Sequence, residues 1–414
     1  METKQFTLSN GLPVIYIINP STPLAYACLC VNAGAKDDKP SQLGLAHAVE
    51  HFLFMGSKHF SKQEINDLPS QWGTSLEGFT DIDFTSFGFR SLPDYFPQLL
   101  ALLSDILINP TFPQDCFEKE LEVIMTEMAT NDDEDEARQL GYNLHTCFGM
   151  NRKKADILGT CESISRFTPE TAYRYWAKYY TAQNSVLCIY ANSDSYIEQV
   201  KNNFTPMVQG EANSFKAAPF SSSSYRARNY SSEIEVSLIF SAQENISPAD
   251  EVLANILGGN YSSRLYQRLR NNQPLVYSVS VDIDSYACGD IFNISTICLK
   301  KNLEKVLSSL CEEIVSLKKH GVTSEDMTYA KRALETVLLS EWSNPENLVF
   351  DCAEDYLLNR FVPLDKKLQQ YEQVTIEDIF NSIQNIFSVA PTYGIIGDVP
   401  NAPTYSQILK NLDL

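Results

Sequence analysis

Apolar and polar positions switch between two periods along this chain, and the switches outline its elements. KQFTLSNGLPVIYIIN reads as two short strands joined at Asn10-Gly11, a dipeptide suited to a hairpin turn. LAYACLCVNAG reads as a third strand. In GLAHAVEHFLFMG the apolar residues fall three and four apart, which predicts a helix that Gly56 stops. FEKELEVIMTEMATN predicts a second helix, amphipathic, with Leu121, Ile124, Met125 and Met128 as its apolar stripe.

The pattern lapses between Phe204 and Tyr230, where Pro206, Gly210, Pro219, the serines from Ser221 to Ser224, Arg226 and Arg228 interrupt it. Such a stretch is expected to connect domains. It divides the chain into a first domain over 1–210, a linker over 211–229 and a second domain over 230–414. The halves echo each other near their ends: NSVLCIYANSD runs into the helical SYIEQVKNNF, and APTYGIIGDVP runs into YSQILKNL. The expected fold is therefore α+β, two similar domains, each a mainly antiparallel sheet packed with helices.

Composition narrows the functional classes. At 414 residues and 44% hydrophobic, the chain suffices for two packed cores and is too apolar to be disordered. No stretch approaches the roughly 18 apolar residues of a membrane span, and Met1-Glu2-Thr3-Lys4-Gln5-Phe6 lacks the basic start of a signal peptide. A soluble cytoplasmic protein is expected. The ten cysteines scatter through apolar runs, which suits free thiols in a reducing compartment. Cys28 and Cys30 stand two apart on a strand and should share one buried face without catalytic role. The net charge of -20 argues against nucleic acid or anionic lipid as partners and for neutral or cationic substrates. The acidic run Asp132-Asp133-Glu134-Asp135-Glu136 is read as a solvated loop after a helix.

The chemistry concentrates in one place. Two of the five histidines, His47 and His51, lie four apart on the predicted helix with Glu50 between them. A helix turns about 100° per residue, so both imidazoles stand on one face and reach one ion. Glu50 projects from nearly the same face, close enough to contact a water on that ion. Catalytic zinc usually takes three protein ligands, and the helix carrying Glu120 and Glu127, seven apart on one face, offers two carboxylates of which either could close the site.

These residues carry a resemblance. GLAHAVEHFLFMG followed by ELEVIMTE is similar to the pitrilysin/insulinase family, which also contains the mitochondrial processing peptidases. ILGTCESISRFTPE and LGGNYSSRLYQRLRNNQPLVYSV extend the similarity over most of the chain, and the absence of an Arg-rich presequence makes the small two-domain bacterial members the nearer match. The resemblance implies one zinc per chain, held by His47, His51 and Glu127, the last 76 residues beyond His51. It implies Glu120 as an outer support of the ligands, Glu50 as the base that takes a proton from water, and Arg270 and Tyr277 as residues that meet the substrate backbone and the oxyanion.

It further implies a peptide laid along the sheet edge over Gly73 to Arg90. There the sequence departs from the family, with Glu77 and Gly78 where Asn and Ala are usual; an added carboxylate should favour a basic substrate residue. The family's chamber needs four domains and this chain has two. A homodimer is expected, or a heterodimer with a related subunit. The competing expectations are a non-catalytic assembly subunit of the same fold, and a subunit that trims the leader of a modified peptide natural product.

Overall fold

A computed structural model describes the chain from Met1 to Leu414 except residues 131–133, 216–217, 229–231 and 243–245, together with the side chains of 134–137. It holds two compact units. The first is built on a six-stranded sheet of β1 (Glu2–Thr7), β2 (Pro13–Ile18), β3 (Ala25–Val31), β4 (Glu77–Thr80), β5 (Thr85–Ser91) and β6 (Ser185–Ala191). Their spatial order is β1-β2-β6-β3-β5-β4, antiparallel except for the β2–β6 pair. The second unit has five strands, β7 (Ser224–Ala227), β8 (Glu233–Ser241), β9 (Val276–Tyr286), β10 (Gly289–Leu299) and β11 (Thr392–Ile396), in the order β7-β11-β8-β10-β9. Only β7 and β11 run parallel there. Setting β7 against β2, β11 against β6, β8 against β3, β10 against β5 and β9 against β4 superposes the two orders. The fold is α+β with a repeated sheet, and the echo at the ends of the halves falls on the equivalent strands β6 and β11.

Both faces of the first sheet are buried, which is why β3 and β6 read as nearly unbroken apolar runs. Ala27, Leu29, Leu187 and Ile189 face one core, shared with α1 (Leu45–Leu53), α3 (Phe96–Ile108) and α4 (Gln114–Thr130), while α2 (Lys62–Gln71) contributes Ile65. Cys28, Cys30, Val186 and Cys188 face the other core. Cys28 and Cys30 are buried on one face as their spacing requires, with sulfurs 3.6 Å apart, and the cysteines are all free thiols.

The covering element of that second face comes from far along the chain. Leu348, Val349, Cys352 and Ala353 of the helix Pro345–Leu357 pack onto it, Arg90 of β5 donates to Glu346 at 2.9 Å, and Gly88 leaves room for the Phe350 ring, which a Cβ there would meet at 3.1 Å. Neither unit is one continuous stretch: the first comprises Met1–Arg138, Lys153–Phe215 and Glu341–Pro363, and the second comprises Gln139–Arg152, Lys216–Ser340 and Leu364–Leu414. Most of α5 (Glu134–Phe148) thus belongs to the second unit.

Three local expectations change in detail. The turn at Asn10-Gly11 is part of a longer loop, residues 8–12, because Thr7 pairs with Pro13; Gly11 takes its left-handed position at φ 92°. The stretch expected to be linker contains β7, whose Tyr225 and Ala227 turn inward, the Tyr225 hydroxyl donating to Asn143 at 2.6 Å. Within the acidic run, Glu134, Asp135 and Glu136 open α5 instead of lying in a loop, while Asp132 and Asp133 lie outside the described residues. No helix among the described residues is long and apolar enough to cross a membrane.

Candidate metal centre

The helix α1 starts where a carboxylate from outside it meets its free N–H groups. Asp38, buried, accepts from Gly44 at 2.7 Å, Leu45 at 3.1 Å and Ala46 at 3.0 Å, so a negative charge sits on the positive helix end one residue before His47. Burial still raises the Asp38 carboxyl, to about 7, against the three backbone bonds that lower it. Gly44 takes φ 83° and lies so close to Leu158 that a Cβ would stand 2.4 Å from its carbonyl oxygen. This entry fixes the phase of the helix, and with it the direction of His47, Glu50 and His51.

The second helix is fixed to the first by aromatic packing. Phe52 and Phe117 are fully buried and stack with ring centroids 4.1 Å apart, a contact of about 0.5–1.5 kcal/mol beyond the burial itself. Leu121 and Ile124 bury the same face of α4, and Met125 and Met128 pack against that core. Two turns beyond Glu120, Glu127 reaches the histidines. Its Oε1 lies 3.7 Å from His47 Nε2, and its Oε2 lies 3.3 Å from His51 Nε2. The imidazoles face each other edge to face, with centroids 4.6 Å apart.

Glu120 completes a second layer: its Oε1 lies 3.2 Å from His51 Nδ1, and Lys62 of α2 donates to its Oε2 at 2.8 Å. The bond to His51, opposed by burial and aided by Lys62, holds the Glu120 carboxyl below its usual range. A carboxylate on Nδ1 selects the tautomer that leaves Nε2 bare toward Glu127.

Electrostatics splits the two histidines. Burial, then the neighbouring His51, lowers His47 to about 3, so it is a neutral ligand. Burial also pulls His51 down, but the bond to Glu120 and the charges of Glu50, Glu127 and Glu120 outweigh it and leave its pKa raised. Glu50 is buried and raised, chiefly by desolvation and partly by Glu127, while a hydrogen bond from Thr80 opposes the rise.

The donor atoms of His47, His51 and Glu127 lie within 4.8 Å of one another, the one group of three metal-capable side chains of its kind among the described residues. His47 Nδ1 is buried without a partner among them. Two imidazoles and one half-exposed carboxylate, open on one side, fit a zinc ion that keeps a free position.

The substrate-edge residues separate. β4 ends the sheet, so one side of it is unpaired. Gly78 lies against Glu50: a Cβ on it would come 2.6 Å from Glu50 Oε1. Glu77 is exposed and accepts from the Ser75 hydroxyl at 3.1 Å, and strand alternation turns it to the face opposite Gly78 and Thr80. Arg270 and Tyr277 lie in the second unit and are in contact. The Arg270 guanidinium covers the Tyr277 ring 4.5 Å from its centroid and the Tyr266 ring at 5.2 Å, and it donates to the Tyr277 carbonyl. Arg270 belongs to a π-helical turn, Gln267–Asn272, and Tyr277 is 78% exposed.

Sequence reading overlooked Asp38, Lys62 and Thr80. Asp38 caps from several residues upstream and Lys62 and Thr80 meet the site through tertiary contacts; only Thr80 left a trace, as a same-face neighbour of Gly78.

A helix-borne histidine pair and a carboxylate from a second helix, with a further glutamate beside them, form a cluster that could hold a metal ion. Comparison with known proteins agrees. Residues 13–161 match the family model described as insulinase (peptidase family M16), and residues 166–334 match the one described as peptidase M16 inactive domain. An uncharacterized zinc protease of Bacillus subtilis is 24% identical over 97% of this chain and 100% of its own length. Another from Rickettsia felis is 25% identical over 94% and 96%. A solved peptidase M16 inactive domain from Pseudomonas fluorescens shares the fold with a TM-score of 0.82 at 17% identity, covering 97% of this chain and 99% of that one. A protease from Helicobacter pylori does so with 0.80 at 16%, covering 96% and 99%. The chain belongs to the insulinase family, peptidase family M16.

Proposed function

We propose that the protein is a zinc-dependent endopeptidase that hydrolyses short or unfolded peptides in a chamber completed by dimerisation. The observation that carries the reading is the convergence of His47, His51 and Glu127 within 4.8 Å beside a buried Glu50. One zinc per chain, bound by these three, would supply the positive charge that acidifies water and polarises a peptide carbonyl.

The residues divide the remaining work. Glu50 takes the proton from water and returns it to the departing amine. Glu120 holds His51 by Nδ1, which keeps Nε2 available. The peptide adds to the open edge of β4 by main-chain hydrogen bonds. Tyr277, exposed and steadied by Arg270, offers a phenol for the oxyanion, and Arg270 offers a guanidinium for the substrate backbone. Since ligands and Arg270–Tyr277 occur in one chain, a homodimer with each subunit completing the other's site is the favoured assembly, and a heterodimer with a related subunit is the alternative.

Glu50→Gln tests the reading. The variant should bind zinc as the wild type does, by elemental analysis, while cleavage of a quenched fluorescent peptide falls by about 10²–10⁴-fold. Zinc bound by the wild type without cleavage of any peptide in a random library would instead support a non-catalytic assembly role.

A further inference from the structure

Glu50 does not stand free in the site; the edge strand holds it. Thr80, buried, places its hydroxyl 2.5 Å from Glu50 Oε2 and donates to it. Two residues earlier on the same face of β4, Gly78 lies where any side chain would strike Glu50: a Cβ would come 2.6 Å from Oε1, 2.8 Å from Cγ and 3.0 Å from Cδ. The contact takes in Oε1, the carboxyl carbon and the methylene before it. A substitution at 78 therefore has to turn the Glu50 side chain and not merely its tip. Helix α1 itself cannot yield, because Asp38 caps it and its apolar face is packed into the core.

We propose that Thr80 and Gly78 are positioning residues for Glu50, Thr80 by occupying one carboxylate oxygen and Gly78 by vacating the space in which the other lies. The assignment rests on the peptidase reading for its consequence. A hydroxyl has one hydrogen to give, and it is given to Oε2; the lone pairs of Oε1 remain to receive the proton taken from water. Strand β4 then has two faces of duty: its open edge accepts a peptide, and its inward face orients the base. Register of the peptide and direction of the base are fixed by one backbone.

The experiment compares zinc-loaded Thr80→Val, Thr80→Ser and Gly78→Ala with the wild type. Each is measured for zinc content, for kcat and KM on one quenched peptide, and by crystallography for the Glu50 carboxylate. Thr80→Val is isosteric and lacks the donor; its kcat should fall about tenfold or more with KM within about twofold and zinc unchanged. Thr80→Ser, which keeps the hydroxyl, should recover most of the loss. Gly78→Ala should likewise lower kcat at constant KM, with Glu50 rotated off the strand.

Wild-type kcat in Thr80→Val, or an unmoved Glu50 carboxylate in its crystal structure, overturns the role of Thr80. A Gly78→Ala protein with raised KM and unchanged kcat assigns Gly78 to substrate contact and overturns its role toward Glu50. If the wild type cleaves nothing, the peptidase reading fails by itself, and the carboxylate positions in the crystal structures still decide whether the strand orients Glu50.

Discussion

At the scale of single residues, the two histidines of one motif are chemically unlike. His47 is neutral down to about pH 3, whereas His51, bonded to Glu120 and surrounded by carboxylates, has a pKa raised above the usual 6.5. In the metal-free protein His47 therefore loses its proton far earlier, and His51 keeps its proton to higher pH than an ordinary imidazole. Zinc must displace that proton, so affinity should weaken as pH falls through the raised His51 value, beginning above pH 6.5. Calorimetry in buffers of different ionisation enthalpy should detect proton release on zinc binding near pH 6.5 that fades at high pH. Glu120→Gln removes the largest of the raising influences; the release at pH 6.5 should shrink, and zinc affinity should fall by about 10–100-fold. Spacing revealed the pair and its neighbour Glu50, because a helix puts positions four apart on one face. It could not reveal the difference between them, which arises from Glu120 and from burial.

At the scale of elements, local periodicity made the helices of the site readable, since α1 and α4 form as their patterns require, whereas the expected edge over Gly73 to Arg90 is a hairpin in which only β4 lies at the edge and β5 is paired on both sides. What periodicity missed is where elements pack. Glu120 and Glu127 were equal candidates on geometry alone, and the stack of Phe52 on Phe117 sets which of them meets the two Nε2 atoms. Likewise nothing in PENLVFDCAEDYL marks it as a cover for β3 and β6, since an amphipathic helix does not name its partner. Its importance is testable. Leu348 is 2% exposed, and Leu348→Ala should cost about 2–5 kcal/mol. Hydrogen exchange should show the loss in β3 and β6 and spare β8 and β10.

At the scale of the whole molecule, the net charge of -20 and the proposed chamber make joint demands on substrates. The purified protein should sediment as a dimer. It should cleave unstructured peptides rich in Lys and Arg in preference to acidic ones and spare folded domains. Added salt should raise KM for the basic peptides, because exposed charges separated by more than about 8 Å are screened at physiological ionic strength. A monomer by sedimentation that gains activity with a related subunit would replace the homodimer by the heterodimer.

The exchange of segments between the two units has a bearing on synthesis as well. When Phe215 leaves the ribosome, β1 to β6 are all present, yet the outer side of their sheet lacks the segment Glu341–Pro363 that will lie on it. Cys28, Cys30, Cys188 and their apolar neighbours stay uncovered until more than a hundred further residues have been made, counting from 215 to 341. A gene cut at the connecting stretch should therefore yield a first piece whose sheet has this apolar back exposed to water.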